Sequence, residues 1–549
     1  MHHRGAWISF TTIFAIAAFF PAVSFGGRSC ESLASLELPS TTITKAQSVP
    51  AGPFQLGGPF PGQRAAVDLP AFCRVEGEIK PTSDSAIRFE VWMPTENWNG
   101  RFVGTGNGGF AGYIENGGLA AALRAGFAAA STDTGHAAGG PGARWAVGHP
   151  EKIIDFGDRA IHLTAVTGKE IVRSFYGAAP QWSYFSSCSN GGRQGLMEAQ
   201  RFPTDYNGII AGAPANFWTH LMASAVWDLQ ATLANPASYI PSSKLPAIGD
   251  AVLAACDAED GIKDGILNDP RQCHFSPETL LCAGADSSDC LTAPQVAAVK
   301  KIYAGPSNGK GEKILPGYMP GSESGFGGWG IWITGPAPEK SVDYVFATQF
   351  FSDMVFGDPS WNFRTFNFDA DVELTDKKIG AILNATNPNL TDFERRGGKL
   401  ILYHGWSDSA IPPLNTVNYY ESVVARMGHQ QAEEFVRLYM VPGMGHCGGG
   451  PGPDSFGAGP SPDADSEHGM FSSLEQWVER GAPPKAIVAT KRASPFNSES
   501  GVVMTRPLCP FPEVAKYKGN GDTNQAANFV CVMEPDKSAQ ASPAHDARK

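Results

Sequence analysis

Ser187-Cys188-Ser189-Asn190-Gly191-Gly192 is the stretch from which the rest of the chain is read. A strand-like run, Trp182-Ser183-Tyr184-Phe185-Ser186, precedes it, and a helix-like run from Arg193 to Gln200 follows, so Ser189 is expected at a sharp strand-to-helix turn. A nucleophile elbow holds its serine in such a turn. The usual pattern is Gly-x-Ser-x-Gly, and here Ser187 takes the first position; a Ser-x-Gly turn alone is more often only a turn. A second stretch, Gly443-Met444-Gly445-His446-Cys447-Gly448, adds a constraint, because a cysteine abuts both Ser189 and His446. If Cys188 and Cys447 are bonded, their Cα atoms lie within about 7 Å. Ser189 and His446 are then spatial neighbours.

Outward from the elbow the chain alternates strands and helices. Ile87 to Met93 has a period of two, Arg101 to Gly104 is a second strand candidate, and a glycine loop from Gly104 to Gly112 follows. A helix is expected near 117–125, a small-residue strand over 126–131, and a longer helix over about 155–175. Gly208 to Gly212 continues the rhythm after the elbow helix. Such a βαβα order implies a mainly parallel sheet covered by helices, an α/β fold. After Pro214 the rhythm breaks, and residues 214–395 read as a large inserted lid domain. The core resumes at Lys399 to His404 and Phe435 to Met440, and a helix near 470–479 and a strand near 486–490 are expected to complete it. The organisation is thus 1–25 signal peptide, 26–213 first core part, 214–395 lid, and 396–549 second core part with a polar tail.

Candidate chemistry follows from chain order. A serine hydrolase of this type carries Ser, then Asp or Glu, then His. Ser189 comes first, Asp408 lies in the loop after the strand ending at His404, and His446 lies after the next strand. The N–H of Asn190, with Gly108 or Gly109 of Gly106-Asn107-Gly108-Gly109, forms the expected oxyanion hole. Those glycines would also suit a phosphate cradle, but no Walker or dinucleotide fingerprint accompanies them.

These Cys-Ser, Asp and His-Cys elements, with the Gly-Asn-Gly-Gly stretch, resemble the tannase and feruloyl esterase family of α/β-hydrolases over nearly the whole mature chain. The resemblance implies hydrolysis of esters of hydroxylated aromatic acids, with no organic cofactor. It also implies the disulfides Cys30–Cys73, Cys188–Cys447, Cys256–Cys273, Cys282–Cys290 and Cys509–Cys531. In the lid, Asp257-Ala258-Glu259-Asp260-Gly261-Ile262-Lys263-Asp264-Gly265-Ile266 places carboxylates at spacings that suit a hard cation, although an acidic turn that binds nothing has the same look. Similarity to the family's calcium loop implies structural Ca2+ held by Asp257, Asp260 and Asp264 and by the carbonyls of Ile262 and Ile266. The aromatic run Trp361 to Phe368 contains Arg364; core packing is one reading of it. Similarity to the family's terephthalate-monoester hydrolases implies instead that Arg364 and Phe368 hold substrate. Ile411 departs from those enzymes, which have an aromatic residue there.

Composition bounds the alternatives. A chain of 549 residues exceeds what one small core organises, and a formal net charge of -12 without a Lys/Arg cluster argues against a nucleic-acid partner. The start Met1-His2-His3-Arg4, an apolar run to Phe20 and small residues to Gly26 read as a secretory signal peptide. That run falls short of the ~20 residues that span a bilayer, so no membrane association is expected after cleavage, and the protein is expected to be secreted or periplasmic. Ten cysteines in an exported chain suggest five disulfides. A terephthalate-monoester hydrolase, a peptidase with the same residues and a catalytically silent aromatic-binding relative are the competing readings.

Overall fold

The computed structural model describes residues 1–2, 27–57, 64–137, 142–463, 465–494 and 500–533. The signal-peptide reading and the polar tail beyond about residue 536 lie outside them.

Fifteen strands are present among the described residues. Nine form one sheet: β1 (Thr41–Val49), β4 (Phe72–Ile79), β5 (Ile87–Pro94), β6 (Arg101–Thr105), β7 (Ala128–Thr132), β8 (Trp182–Cys188), β9 (Gly208–Gly212), β10 (Lys399–Gly405) and β11 (Val436–Val441). The hairpin β2 (Gly52–Gly57) and β3 (Arg64–Leu69) stands apart, as do the ribbons of β12 (Ile487–Arg492) with β13 (Val502–Leu508) and of β14 (Glu513–Tyr517) with β15 (Phe529–Met533). Spatial order in the main sheet is β1-β4-β5-β7-β6-β8-β9-β10-β11. From β7 to β11 neighbours run parallel, while β1, β4 and β5 form an antiparallel flank.

Side chains divide between the two faces with the strand period of two. Phe185, Ile209, Ala211, Leu400, Leu402 and Leu438 join one buried cluster, and Tyr184, Ile210, Ile401, Tyr403, Tyr439 and Val441 join another. Every residue of β9 is buried, as expected of a parallel strand covered on both faces. The helix Ala160–Tyr176 packs into the first cluster and stops at Gly177, whose left-handed φ of 74° suits a glycine C-cap.

The strand expected to complete the core near 486–490 forms, but it pairs antiparallel with β13 and not with the main sheet. Ile487 and Ala489 still reach the core beneath it, so the apolar pattern reported burial correctly and pairing incorrectly. Between β9 and β10 the described residues contribute no strand to the main sheet. The helices Trp218–Leu233, Leu245–Cys256, Ala293–Ala304 and Val342–Gln349 dominate there. Much of this segment's apolar surface packs on itself, in one cluster around Val226, Leu229, Phe350 and Phe351 and another around Ile248, Val299 and Trp329.

Candidate active site

Strand β8 ends at Cys188, and the chain turns through Ser189 into the helix Asn190–Arg201. Ser189 has φ 66° and ψ -126°, a conformation that costs a non-glycine residue free energy and is held by its surroundings. Its N–H donates to Gly212 O at 2.9 Å, and its carbonyl accepts from Ala215 N at 3.1 Å and from Arg193 N at 3.1 Å. The glycines of the motif serve close approach. A Cβ on Gly191 would lie 1.9 Å from Ser187 Oγ, and one on Gly192 would lie 2.3 Å from Gly212 O. Ser187 at the first motif position is therefore accommodated by Gly191 opposite it. Arg193, fully buried, anchors the helix: it donates to Asn190 Oδ1, Gly157 O and Phe156 O at 2.9, 2.8 and 3.0 Å and stacks over Phe156 and Trp218. Burial pushes its guanidinium down to about 9.

The loops after β10 and β11 bring Asp408 and His446 to the same sheet edge, the carboxyl ends of the parallel strands. His446 Nε2 lies 2.9 Å from Ser189 Oγ, and its Nδ1 lies 2.8 Å from Asp408 Oδ2. The Cys188–Cys447 disulfide joins the two loops, with Cα atoms 6.0 Å apart. Asp408 has no solvent exposure. Burial works against its charge, but the charge on His446 and hydrogen bonds from His404 and His446 hold the carboxyl below the usual carboxylate range. Its Oδ1 accepts from the N–H groups of Ala410 and Ile411 at 2.7 and 2.9 Å. His404, the last residue but one of β10, adds a contact that motif reading missed. Its Nε2 is 3.1 Å from Asp408 Oδ2, and its Nδ1 is 2.7 Å from Thr416 Oγ1.

Ser189 and His446 open into a cavity of about 490 Å³, counting its mouth, that Gly109 and Ile411 also line. Its walls come mainly from the segment between β9 and β10: Trp218, Leu221, Met222, Tyr318, Trp332 and Phe346. Trp332 packs edge-on against His446 with ring centroids 5.2 Å apart. Of the two glycines considered for the oxyanion hole, Gly108 already donates its N–H to Tyr113 Oη at 3.0 Å, whereas Gly109 lines the cavity. Asn190 opens the elbow helix.

Arg364 and Phe368 are not among the residues lining this cavity. Arg364 Nη2 sits 3.3 Å from Glu339 Oε1 and 3.3 Å from Leu233 O, and its guanidinium covers Phe363. Phe368 packs edge-on against Phe366 and Trp227. Local composition cannot separate a wall of a cavity from a wall behind it.

The acidic loop lies away from the cavity, against the C-terminal ribbons. Asp257, Asp260 and Asp264 each turn one oxygen onto a backbone N–H, of Gly265, Ile262 and Ile266 respectively, at 3.0, 3.0 and 3.2 Å. Asp264 Oδ2 also accepts from Arg506 Nη2 at 2.7 Å, and Ile262 packs with Ala515 and Phe529. Burial, together with the charges of Asp264 and Asp257, raises Asp260 to about 6. Among the described residues the oxygens of these three carboxylates are not gathered within 4.8 Å of one another.

All five disulfides occur in the pairing that the sequence resemblance implied, and they fit an oxidising compartment, extracellular or periplasmic. No described helix is long and apolar enough to cross a membrane.

A mainly parallel sheet, a serine elbow after a central strand and an Asp and His from later strand ends define an α/β-hydrolase. The sequence model described as "Tannase and feruloyl esterase" matches residues 73–532, and the chain belongs to that family. It is 44% identical to an uncharacterized esterase of Xanthomonas campestris pv. campestris, covering 97% of this chain and 96% of the relative. It is 35% identical to mono(2-hydroxyethyl) terephthalate hydrolase of Piscinibacter sakaiensis, with 86% and 87% covered. The solved feruloyl esterase B from Aspergillus oryzae superposes with a TM-score of 0.83, covering 92% of this chain and 99% of that one at 29% identity. The protein is a carboxylic ester hydrolase.

Proposed function

We propose that the protein is an exported serine esterase that cleaves esters of hydroxylated aromatic acids through an acyl-enzyme. The carrying observation is the hydrogen-bonded chain from Asp408 through His446 to Ser189 at the mouth of an aromatic-walled cavity. His446 takes the Ser189 proton as Oγ attacks the ester carbonyl, then returns it to the departing alcohol. Asp408, buried and held ionised, fixes the imidazole tautomer and stabilises the imidazolium. The N–H groups of Asn190 and Gly109 receive the oxyanion. Residues 214–395 act as the lid that sets selectivity. Export rests on the signal-like N-terminus together with the five disulfides.

A terephthalate monoester brings a free carboxylate, and no arginine or lysine is among the residues lining the cavity. Arg364, the cation considered for that role, is paired with Glu339. The hydroxyaromatic reading is therefore favoured. Structural calcium in the acidic loop belongs to the same proposal, with Asp257, Asp260 and Asp264 and the carbonyls of Ile262 and Ile266 as ligands; it would brace the base of the lid against the ribbons.

A panel of methyl ferulate, methyl gallate, mono(2-hydroxyethyl) terephthalate and a short aliphatic ester tests the reading, with Ser189→Ala in parallel. Preference for ferulate or gallate, abolished in the variant, supports it. Preference for the terephthalate ester, or turnover surviving in Ser189→Ala, overturns it. Chelation should lower the melting temperature, and calcium alone should restore it; an unchanged transition removes the ion from the proposal.

A further inference from the structure

Two buried carboxyl groups lie beside the cavity, and the chemistry above uses neither. Asp343 lines the cavity from the first turn of the helix Val342–Gln349 and is 5% exposed. Asp228 lies in the helix Trp218–Leu233, which packs against that first helix, and is 1% exposed. The Oδ2 atoms of both are buried without a hydrogen-bond partner among the described residues. Unsatisfied buried carboxyl oxygens are costly and uncommon. Most of the remaining wall is apolar or aromatic, so Asp343 is a polar side chain held in the cavity with no partner of its own.

We propose that Asp343 is a specificity-determining residue whose carboxyl group hydrogen-bonds a hydroxyl on the acyl part of the substrate while the ester carbonyl sits at Ser189. The inference rests on the ester-hydrolase reading of the cavity and adds to it the group that recognises the acid. Burial raises the Asp343 carboxyl well above the usual range, and burial with the nearby Asp343 charge does the same to Asp228. Two like charges in one dry site do not both ionise. An Asp343 carboxyl group accepts a hydrogen bond from a phenolic hydroxyl in either protonation state, and in the neutral form it also donates one. A substrate carboxylate at this point would face two acidic groups and no cation, so the same residue selects against acids with a second free carboxylate.

The test compares kcat/KM for methyl 4-hydroxycinnamate with that for methyl cinnamate, and for methyl 4-hydroxybenzoate with methyl benzoate. The intact protein should favour the hydroxylated member of at least one pair by about tenfold or more, as sites built to bond a hydroxyl do. In Asp343→Leu, checked for folding by its thermal transition, that ratio should fall to about one. In Asp343→Asn, which keeps a donor and an acceptor, it should stay within about threefold of the parent. Where Asp343→Leu does not fold, the Asn variant decides: a retained ratio supports the inference, and a lost ratio overturns it. An unchanged ratio in a folded Asp343→Leu also overturns it, as does intact protein that cleaves both members of each pair equally. Intact protein that cleaves none of the four esters fails earlier, at the functional reading itself.

Discussion

The strand-borne residues and the segment between β9 and β10 meet at one cavity but are built in opposite ways. Ser189, Asp408 and His446 sit in loops linked to one another by side-chain hydrogen bonds, closed by a disulfide and backed by His404 and Thr416. The segment offers apolar walls, few polar atoms and two carboxyl oxygens without partners. Positioning a proton relay requires full hydrogen-bond satisfaction in a dry setting. Choosing a substrate requires shape and a few unmet polar groups that the ligand completes. On the proposed reading, the difference teaches that chemistry and selectivity can be altered separately in this fold.

Substitutions that respect this division sharpen it, and the largest effect belongs to the strand loops. Asp408→Asn should lower kcat about 10⁴-fold for every ester, because the wrong histidine tautomer results. Steady-state kinetics on aromatic and aliphatic esters checks it, and loss confined to aromatic esters would break the comparison. Replacing Cys188 and Cys447 together by serine should lower kcat about 10- to 100-fold, since small misplacements of reacting groups are expensive. The thermal transition of that variant should fall as well, by several degrees. Trp332→Ala acts on the other side of the division. It should reduce kcat/KM for aromatic esters about tenfold, with less than about threefold loss on a short aliphatic ester. Equal losses on both would show that the Trp332 contact serves His446 and not the substrate.

The smallest effect tests the antiparallel flank beyond both regions. Burial raises the Asp133 carboxyl to about 7, against hydrogen bonds from the N–H groups of Gly135 and Arg88. A carboxyl raised above its unfolded value of about 3.9 holds more protons folded than unfolded. Its contribution to stability is therefore full below about pH 4 and is lost as pH rises through about 7. The intact protein should lose roughly 2 °C or more of melting temperature between about pH 5.5 and 8, and Asp133→Asn should flatten that slope. A variant with the parent's slope would show that Asp133 is ionised throughout.

Sequence and tertiary structure contributed different things. The residues by themselves determined the alternating strands and helices, the elbow, the order Ser189, Asp408, His446 and, through the family resemblance, the cysteine pairing. These are local or are tied to strand ends, and period, turn chemistry and chain order report them directly. The strand near 486–490 was legible as a strand, but its partner was not, because pairing depends on which edge is free after the core has packed. Only the tertiary structure decided that Asp343 and Trp332 line the cavity while Arg364 turns to Glu339, and that His404 supports Asp408. Helices in the segment between β9 and β10 present one face to the cavity and others to each other. Which face is which follows from how they dock, a matter of long-range packing that no local pattern of residues encodes.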